Sequence, residues 1–158
     1  MDLQFHNPTV GKLTFDQMFK EIINFMGDDP GSMYKLIVGT DSHTHDECLF
    51  VTAIVIHRLG KGARFFYHKQ SKQKINSLRQ KIFYETSLSL GMAGQLAERF
   101  AENGNADLDV EIHLDVGRNG KTRQLIREIV GMVTGSGFAA KIKPDSFGAS
   151  KVADKYTK

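Results

Sequence analysis

The sequence predicts a single α/β domain built on a mixed five-stranded sheet, with the order β-β-β-α-β-α-β-α after an extra N-terminal helix. Three observations carry this prediction. The first strands are β-branched apolar runs separated by links short enough for hairpins. Later stretches alternate between helical and strand-like periodicity. Two of the strand-like runs, ending at Asp41 and Asp115, deliver a carboxylate at their carboxyl ends.

Residues 1–33 form an N-terminal extension. Asn7-Pro8 and Gly11 mark residues 1–13 as an irregular lead-in. Thr14 with Gln17 resembles a capping box, and Phe15, Met18, Phe19, Ile22, Ile23 and Met26 give a helix over about 15–26. A Gly-Asp-Asp-Pro-Gly segment from Gly27 ends it. Strands follow at about 34–41, 49–57 and 63–68, and 69–75 reads as a polar link. A long helix over about 76–103 buries Leu78, Ile82, Leu88, Met92, Leu96 and Phe100. Its internal Gly91 and Gly94 each cost roughly 1 kcal/mol of helix propensity, which close packing on the sheet would explain. Residues 108–116 alternate with period two, placing Leu108, Val110, Ile112 and Leu114 on one face. A helix over about 121–134, a strand over about 138–143 and a final short helix over 149–158 complete the chain.

At 158 residues, 41% hydrophobic and 25% charged, the chain suits one domain spanning 1–158 with a substantial core. The single cysteine, Cys48, excludes an internal disulfide and a cysteine-based zinc site, and it suits a reducing cytoplasm. No leader-like stretch is present and no apolar run approaches the ~18 residues of a membrane span. The expectation is a cytoplasmic protein without membrane contact; oligomeric state is not readable.

Net charge is +3, but the charge is unevenly spread. From Glu47 to Glu85 no acid intervenes, while Arg58, Lys61, Arg64, Lys69, Lys72, Lys74, Arg79 and Lys81 all do. Such a block is either a solvated face or a surface that contacts the phosphates of DNA or RNA. Arg118, Lys121 and Arg123, after the strand that ends at Asp115, add to the candidate nucleic-acid contacts.

If the strands bearing Asp41 and Asp115 are adjacent and parallel, the two carboxylates lie side by side at the sheet edge where ligands bind. Close carboxylates repel unless they share a proton or hold a cation. Oxygen ligands favour Mg²⁺ or Mn²⁺ over zinc. The bland alternative is that each aspartate caps a turn.

The element order, with an aspartate ending its first strand, resembles the ribonuclease H-like (retroviral integrase-like) superfamily. More narrowly, four segments resemble the bacterial YkuK-type proteins of that fold. They are Gly39-Thr40-Asp41-Ser42-His43, His113-Leu114-Asp115-Val116-Gly117, Lys143-Pro144-Asp145-Ser146 and Ala149-Ser150-Lys151-Val152-Ala153-Asp154. The resemblance spans roughly 5–158. It implies a three-layer fold and a metal-holding set of Asp41, Glu85 on the first long helix, Asp115, and a last ligand that is either Asp154 or Asp145. Asp41, Glu85, Asp115 and Asp154 would then be catalytic, with His43 either assisting proton transfer or bonding a carbonyl in its turn.

Two other motifs are rejected on length. Asp41-x-His43-x-His45 matches the strand-end pattern of zinc amidohydrolase barrels, which need about 200 residues or more. Gly117-Arg118-Asn119-Gly120-Lys121-Thr122 lies between a strand and a helix, but its glycines are two residues too close for a phosphate loop. A nucleic-acid phosphate at the helix amino terminus fits better. The sequence reading is therefore a divalent-metal nuclease acting on DNA or RNA. Its alternatives are a non-catalytic nucleic-acid-binding module or, less favoured, an ATP-handling domain of the actin/hexokinase type.

Overall fold

A computed structural model describes residues 3–146 of the chain. Its strands are β1 (Phe5–Asn7), β2 (Gly11–Leu13), β3 (Tyr34–Thr44), β4 (Glu47–Arg58), β5 (Ala63–Gln73), β6 (Asp109–Gly117) and β7 (Ala139–Lys143). Its helices are α1 (Phe15–Gly27), α2 (Leu78–Glu102) and α3 (Ile126–Gly135). The strands form one open sheet in the order β2-β1-β5-β4-β3-β6-β7. The class is as expected, but the count is seven strands rather than five.

The two extra strands come from the segment read as an irregular lead-in. Phe5 pairs with Leu13 and Asn7 with Gly11, and His6 opposite Tyr67 attaches this hairpin to the edge of β5. Asn7 closes the turn, its side chain accepting from the amides of Thr9 and Val10 and donating to the Phe65 carbonyl. Gly11 adopts a φ of +90°, which its lack of a side chain permits. Three-residue strands are too short to show periodicity, so only their turn signals were visible.

The antiparallel meander β3-β4-β5 is the rigid centre, paired from Tyr34–Arg58 to Thr44–Cys48 and from His57–Ala63 to Glu47–Gln73. β5 therefore runs through much of the expected polar link. Main-chain pairing with β4 holds it there despite its exposed side chains. On the other side β6 lies parallel to β3, and β7 parallel to β6.

The predicted capping box starts α1. The Gln17 amide donates to Thr14 Oγ1 at 3.1 Å, and the Thr14 amide donates back to Gln17 Oε1 at 2.9 Å. All three helices pack into one core with the even-numbered residues Leu36 and Val38 of β3, Ile54 and Ile56 of β4, and Ile112, Leu114 and Val116 of β6. The other face buries Ile37, Val51, Ala53 and Val55. The expected final helix over 149–158 lies outside the described residues.

α2 rotates its face relative to the sequence reading. Leu78 is exposed, and the buried positions include the polar Glu85, Thr86 and Ser89 beside Ile82, Met92, Leu96 and Phe100. Gly91 and Gly94 are also exposed, with open space where a Cβ would stand, so close packing does not explain them. α3 begins five residues later than expected. Thr122 Oγ1 accepts from the Gly117 amide at 3.0 Å and closes the loop before it, and a 3-10 turn over Arg123–Leu125 intervenes.

Phe5 tests whether the added hairpin belongs to the cooperative unit. It is fully buried and packs 6.0 Å from the Phe15 ring and 5.5 Å from that of His68. Phe5→Ala should cost about 3–5 kcal/mol in urea unfolding, as buried Phe truncations do. A loss under about 1 kcal/mol would show that the hairpin frays independently of the sheet.

Candidate active site

The site forms where β3 and β6 part. Their parallel pairing runs from Lys35–Asp109 to Gly39–His113 and stops. Two residues further along each strand stand Asp41 and Asp115. β3 continues with β4 as far as Thr44, whereas β6 shifts its register against β7 between His113 and Gly117. A fork results, with one aspartate near the start of each branch.

Glu85 reaches the same place from α2. Strand alternation turns Thr40 and Ser42 toward that helix. Ser89 Oγ and Thr40 Oγ1 lie 2.7 Å apart, and the Ser42 hydroxyl donates to Glu85 Oε2. Glu85 and Asp115 line one narrow crevice together with Thr40, Thr86, Ser89 and His113. Burial pushes the Glu85 carboxyl from its ordinary 4.5 up to about 8; the Ser42 hydrogen bond opposes this, while the charges of Asp41 and Asp115 add to it. Glu85 thus feels the charge of both aspartates.

The next charge in the site is a cation. Lys143, the last residue of β7, places Nζ 2.6 Å from Asp115 Oδ1. This hydrogen bond, with the charges of Asp115, Asp41 and Glu85, raises the Lys143 pKa above its usual range. Among the described residues, no three acidic or histidine side chains stand so as to hold a metal ion between them. Asp41, Glu85 and Asp115 carry the oxygen donors that a hard divalent cation takes, but they do not stand around one point, and burial disfavours Glu85 as an anion.

The remaining candidates are placed as follows. Asp145 is exposed in the turn after β7, while Ser146 beside it is buried and donates to the Leu114 carbonyl at 2.9 Å. Asp154 lies outside the described residues. The exposed His43 sets Nε2 2.9 Å from that of His45, so its ring is engaged with a second imidazole rather than with a turn carbonyl.

Of the basic candidates, Lys72 lies across β4 from the end of β3, since Cys48 pairs with both Thr44 and Lys72, while Lys74 follows β5 and Arg79 stands in the first turn of α2. Arg118, Lys121 and Arg123 follow the Asp115 branch, and all of these, like Lys69, are exposed. Lys72 stands 4.1 Å over the Tyr84 ring, and Tyr84 is braced by Phe50 at 4.6 Å and by a hydrogen bond from Gln70. Arg79 stands 4.6 Å over Phe83 and pairs with Glu128. Arg58 departs from the expectation. It lies opposite Tyr34 at the far end of the sheet, donates to the Phe25 carbonyl at 2.6 Å and stacks on that ring, which makes it a structural cation.

These positions can be set beside known proteins. A family model described as Ribonuclease H-like matches residues 17–158. The chain belongs to the ribonuclease H-like family. It is also 38% identical over 167 residues to the uncharacterized protein YkuK of Bacillus subtilis (strain 168), covering 98% of this chain and 96% of that one. No solved structure matches significantly. Five of the seven strands, in the order β5-β4-β3-β6-β7, follow the expected chain order, with the first predicted strand central.

Sequence reasoning passed over two features. Glu111, His113 and Asp115 share the strand face opposite Ile112 and Leu114; Glu111 Oε2 pairs with Lys35 Nζ at 2.7 Å and Oε1 with His113 Nε2 at 3.1 Å. Burial holds the His113 pKa below its usual value. Period-two alternation had already put four titratable residues, Asp109, Glu111, His113 and Asp115, on that face, and only the apolar set was followed. The other is Lys143, which the sequence reading places at the end of a strand and in a family-like segment but gives no part in the site.

Glu85 makes stability depend on pH. The folded chain holds a proton there that the unfolded chain releases, so the contribution is full below pH 4.5 and is lost as pH rises through about 8. In chelator, between about pH 5 and about pH 9, the melting temperature should fall more steeply for the parent than for Glu85→Gln. That variant keeps an acceptor for Ser42 without ionising. Parallel curves would show that Glu85 holds no such proton.

Proposed function

We propose that this domain is a divalent-metal-dependent nuclease that hydrolyses phosphodiester bonds in DNA or RNA. What supports the reading is the placing of Asp41 and Asp115 where β3 and β6 part, with Glu85 near enough to feel the charge of both, and with exposed lysines and arginines on the flanking segments. Family membership supports an activity on nucleic acid in general terms.

Asp41 and Asp115 are the principal ligands for Mg²⁺ or Mn²⁺, and Glu85 is the third, oriented by the Ser42 hydroxyl. Such an ion, when bound, supplies an activated water and stabilises the departing oxygen. Lys72 and Arg79, held over aromatic rings, and Arg118, Lys121 and Arg123 beyond β6 bind the backbone phosphates on either side of the fork. Asp145 and Asp154 complete the ligand proposal from the C-terminal side. No helix among the described residues is long and apolar enough to cross a membrane, and with the buried free thiol of Cys48 we assign the domain to the cytoplasm.

A second reading, a nucleic-acid-binding module without catalysis, is favoured by one observation: the Lys143 ammonium already neutralises Asp115. Cleavage and binding assays separate the two. Purified protein should cut labelled DNA or RNA with Mg²⁺ or Mn²⁺, and Asp41→Asn or Asp115→Asn should lower the rate by about a hundredfold or more. Affinity that persists in chelator with no cleavage under any metal would establish the binding module instead. On either reading, Lys72→Gln should weaken binding across sequences and reduce the slope of log affinity against log salt by about 1.

A further inference from the structure

We propose that His43 and His45, at the tip of the β3–β4 hairpin, form a two-nitrogen chelate for a late first-row divalent ion, Cu²⁺ or Ni²⁺ ahead of Zn²⁺. The site takes no ligand from the fork and does not rest on the nuclease reading. The argument starts from the spacing of the two rings. His43 Nε2 lies 2.9 Å from His45 Nε2, with the ring centroids 4.4 Å apart. Imidazole nitrogens bind such ions at about 2.0–2.1 Å, so two of them at a right angle about one ion stand about 2.9 Å apart, and at a tetrahedral angle about 3.4 Å. The observed spacing is that of neighbouring corners in the square-planar or tetragonal geometry of Cu²⁺ and Ni²⁺.

The hairpin fixes where the rings stand. His43 pairs with Leu49 of β4, and Leu49 with Ser71 of β5, so three strands hold its backbone. His45 follows the last pair of the hairpin, Thr44–Cys48, and its amide donates to the Glu47 carbonyl at 3.0 Å. Alternation puts the two imidazoles on one face. Thr44 between them sets its hydroxyl 3.4 Å from the sulfur of the buried Cys48. Both histidines are exposed, so water could serve each nitrogen and burial does not force the rings together.

The surroundings suit a cation. His43 and His45 line one shallow groove with Asp46, Glu47, Leu49 and Ser71, and the charged side chains of that lining among the described residues are both acids. No third acid or histidine joins the pair around one point among the described residues, so the remaining coordination positions fall to water or to a small exogenous ligand. Two nitrogens suffice for a chelate, because once one imidazole holds the ion the other meets it at a high effective concentration. The Asp41-x-His43-x-His45 segment therefore divides: the aspartate stands where β3 leaves β6, and the imidazoles face each other beyond it.

The test is a Cu²⁺ titration of the tag-free parent, His43→Gln, His45→Gln and Asp41→Asn, with glycine as competing chelator and electron spin resonance to count the nitrogen donors. Circular dichroism serves as the folding control. The parent should bind one ion coupled to two imidazole nitrogens, and Zn²⁺ more weakly. Each histidine variant should bind about tenfold or more weakly and lose one nitrogen coupling, because the chelate is reduced to a single ligand. Asp41→Asn should leave the affinity and the coupling unchanged. Affinity or two-nitrogen coupling that survives in His45→Gln would put the ion on other groups and overturn the proposal. So would loss of the ion in Asp41→Asn, which would make it part of the fork. If His43→Gln fails to fold, His45→Gln, which lies past the last strand pair, decides by the same criteria.

Discussion

The parallel pairing of β3 with β6 is the contact on which the site depends, and its extent matters as much as its existence. It is held for five residue pairs, from Lys35–Asp109 to Gly39–His113, and then released. β3 cannot follow β6, because eleven pairs bind it to β4 as far as Thr44. β6 cannot follow β3, because its end is drawn toward β7 at Gly117. Each strand is therefore fixed by its other neighbour, and Asp41 and Asp115 stand at a gap that neither can close. A pair of like charges in mid-sheet would push the strands apart. At a fork the separation is already made, so the same repulsion costs less.

The face of α2 is divided in keeping with this. Toward its C-terminus it buries Met92, Ala93, Leu96 and Phe100, and toward the fork it buries Glu85, Thr86 and Ser89. Hydroxyl oxygens continue from Ser89 through Thr40 to Thr52 at 2.7 and 3.1 Å, crossing the sheet where an apolar seam would be cheaper. Buried polar groups of this kind are tolerated when they are hydrogen-bonded to one another. The apolar half of the helix supplies the adhesion, and the polar half holds Glu85 in an environment where its ionised form is disfavoured. A carboxyl placed this way can accept or lose charge in response to what binds beside it, which a solvated surface glutamate does not do to the same degree.

Much of this arrangement was legible in the sequence. The β-branched runs gave the meander, Thr14 with Gln17 gave the start of α1, and period-two alternation at 108–116 gave the face of β6 that carries Ile112 and Leu114. Asp41 and Asp115 were visible because each closes the apolar run of its strand; both strands continue past them, to Thr44 and Gly117, and what ends near them is the pairing of β3 with β6. What escaped was set by partners distant in sequence. The Phe5–Asn7 strand exists because β5 has an edge to cover, and the exposed part of β5 exists because β4 is long. Leu78 was assigned to the core by its type, but the rotation of α2 is decided by Ser42 and Thr40, whose hydroxyls need partners. Arg58 belonged by count to a basic block and by position to Phe25 and Tyr34, at the opposite end of the sheet.

A cluster of acids ringed by bases has a further consequence under the proposed function. Phosphate oxygens approaching Asp41 and Asp115 meet like charge, and favourable contact is first available at the rim. There Lys72 and Arg79 rest on the faces of Tyr84 and Phe83, and Tyr84 is itself pinned by Phe50 and Gln70, so part of the rim is fixed at a set distance from the acids. Lys143 stands inside that ring, nearest the acids and joined to one of them. The radial order is then acid at the centre, ammonium against it, and phosphate-binding cations outside. A polyanion held by the outer charges presents its backbone to the centre without neutralising the centre itself. Discrimination between strand binding and strand chemistry thus falls to the inner charges, which is why the partner of Asp115 carries more mechanistic information than the size of the basic surface.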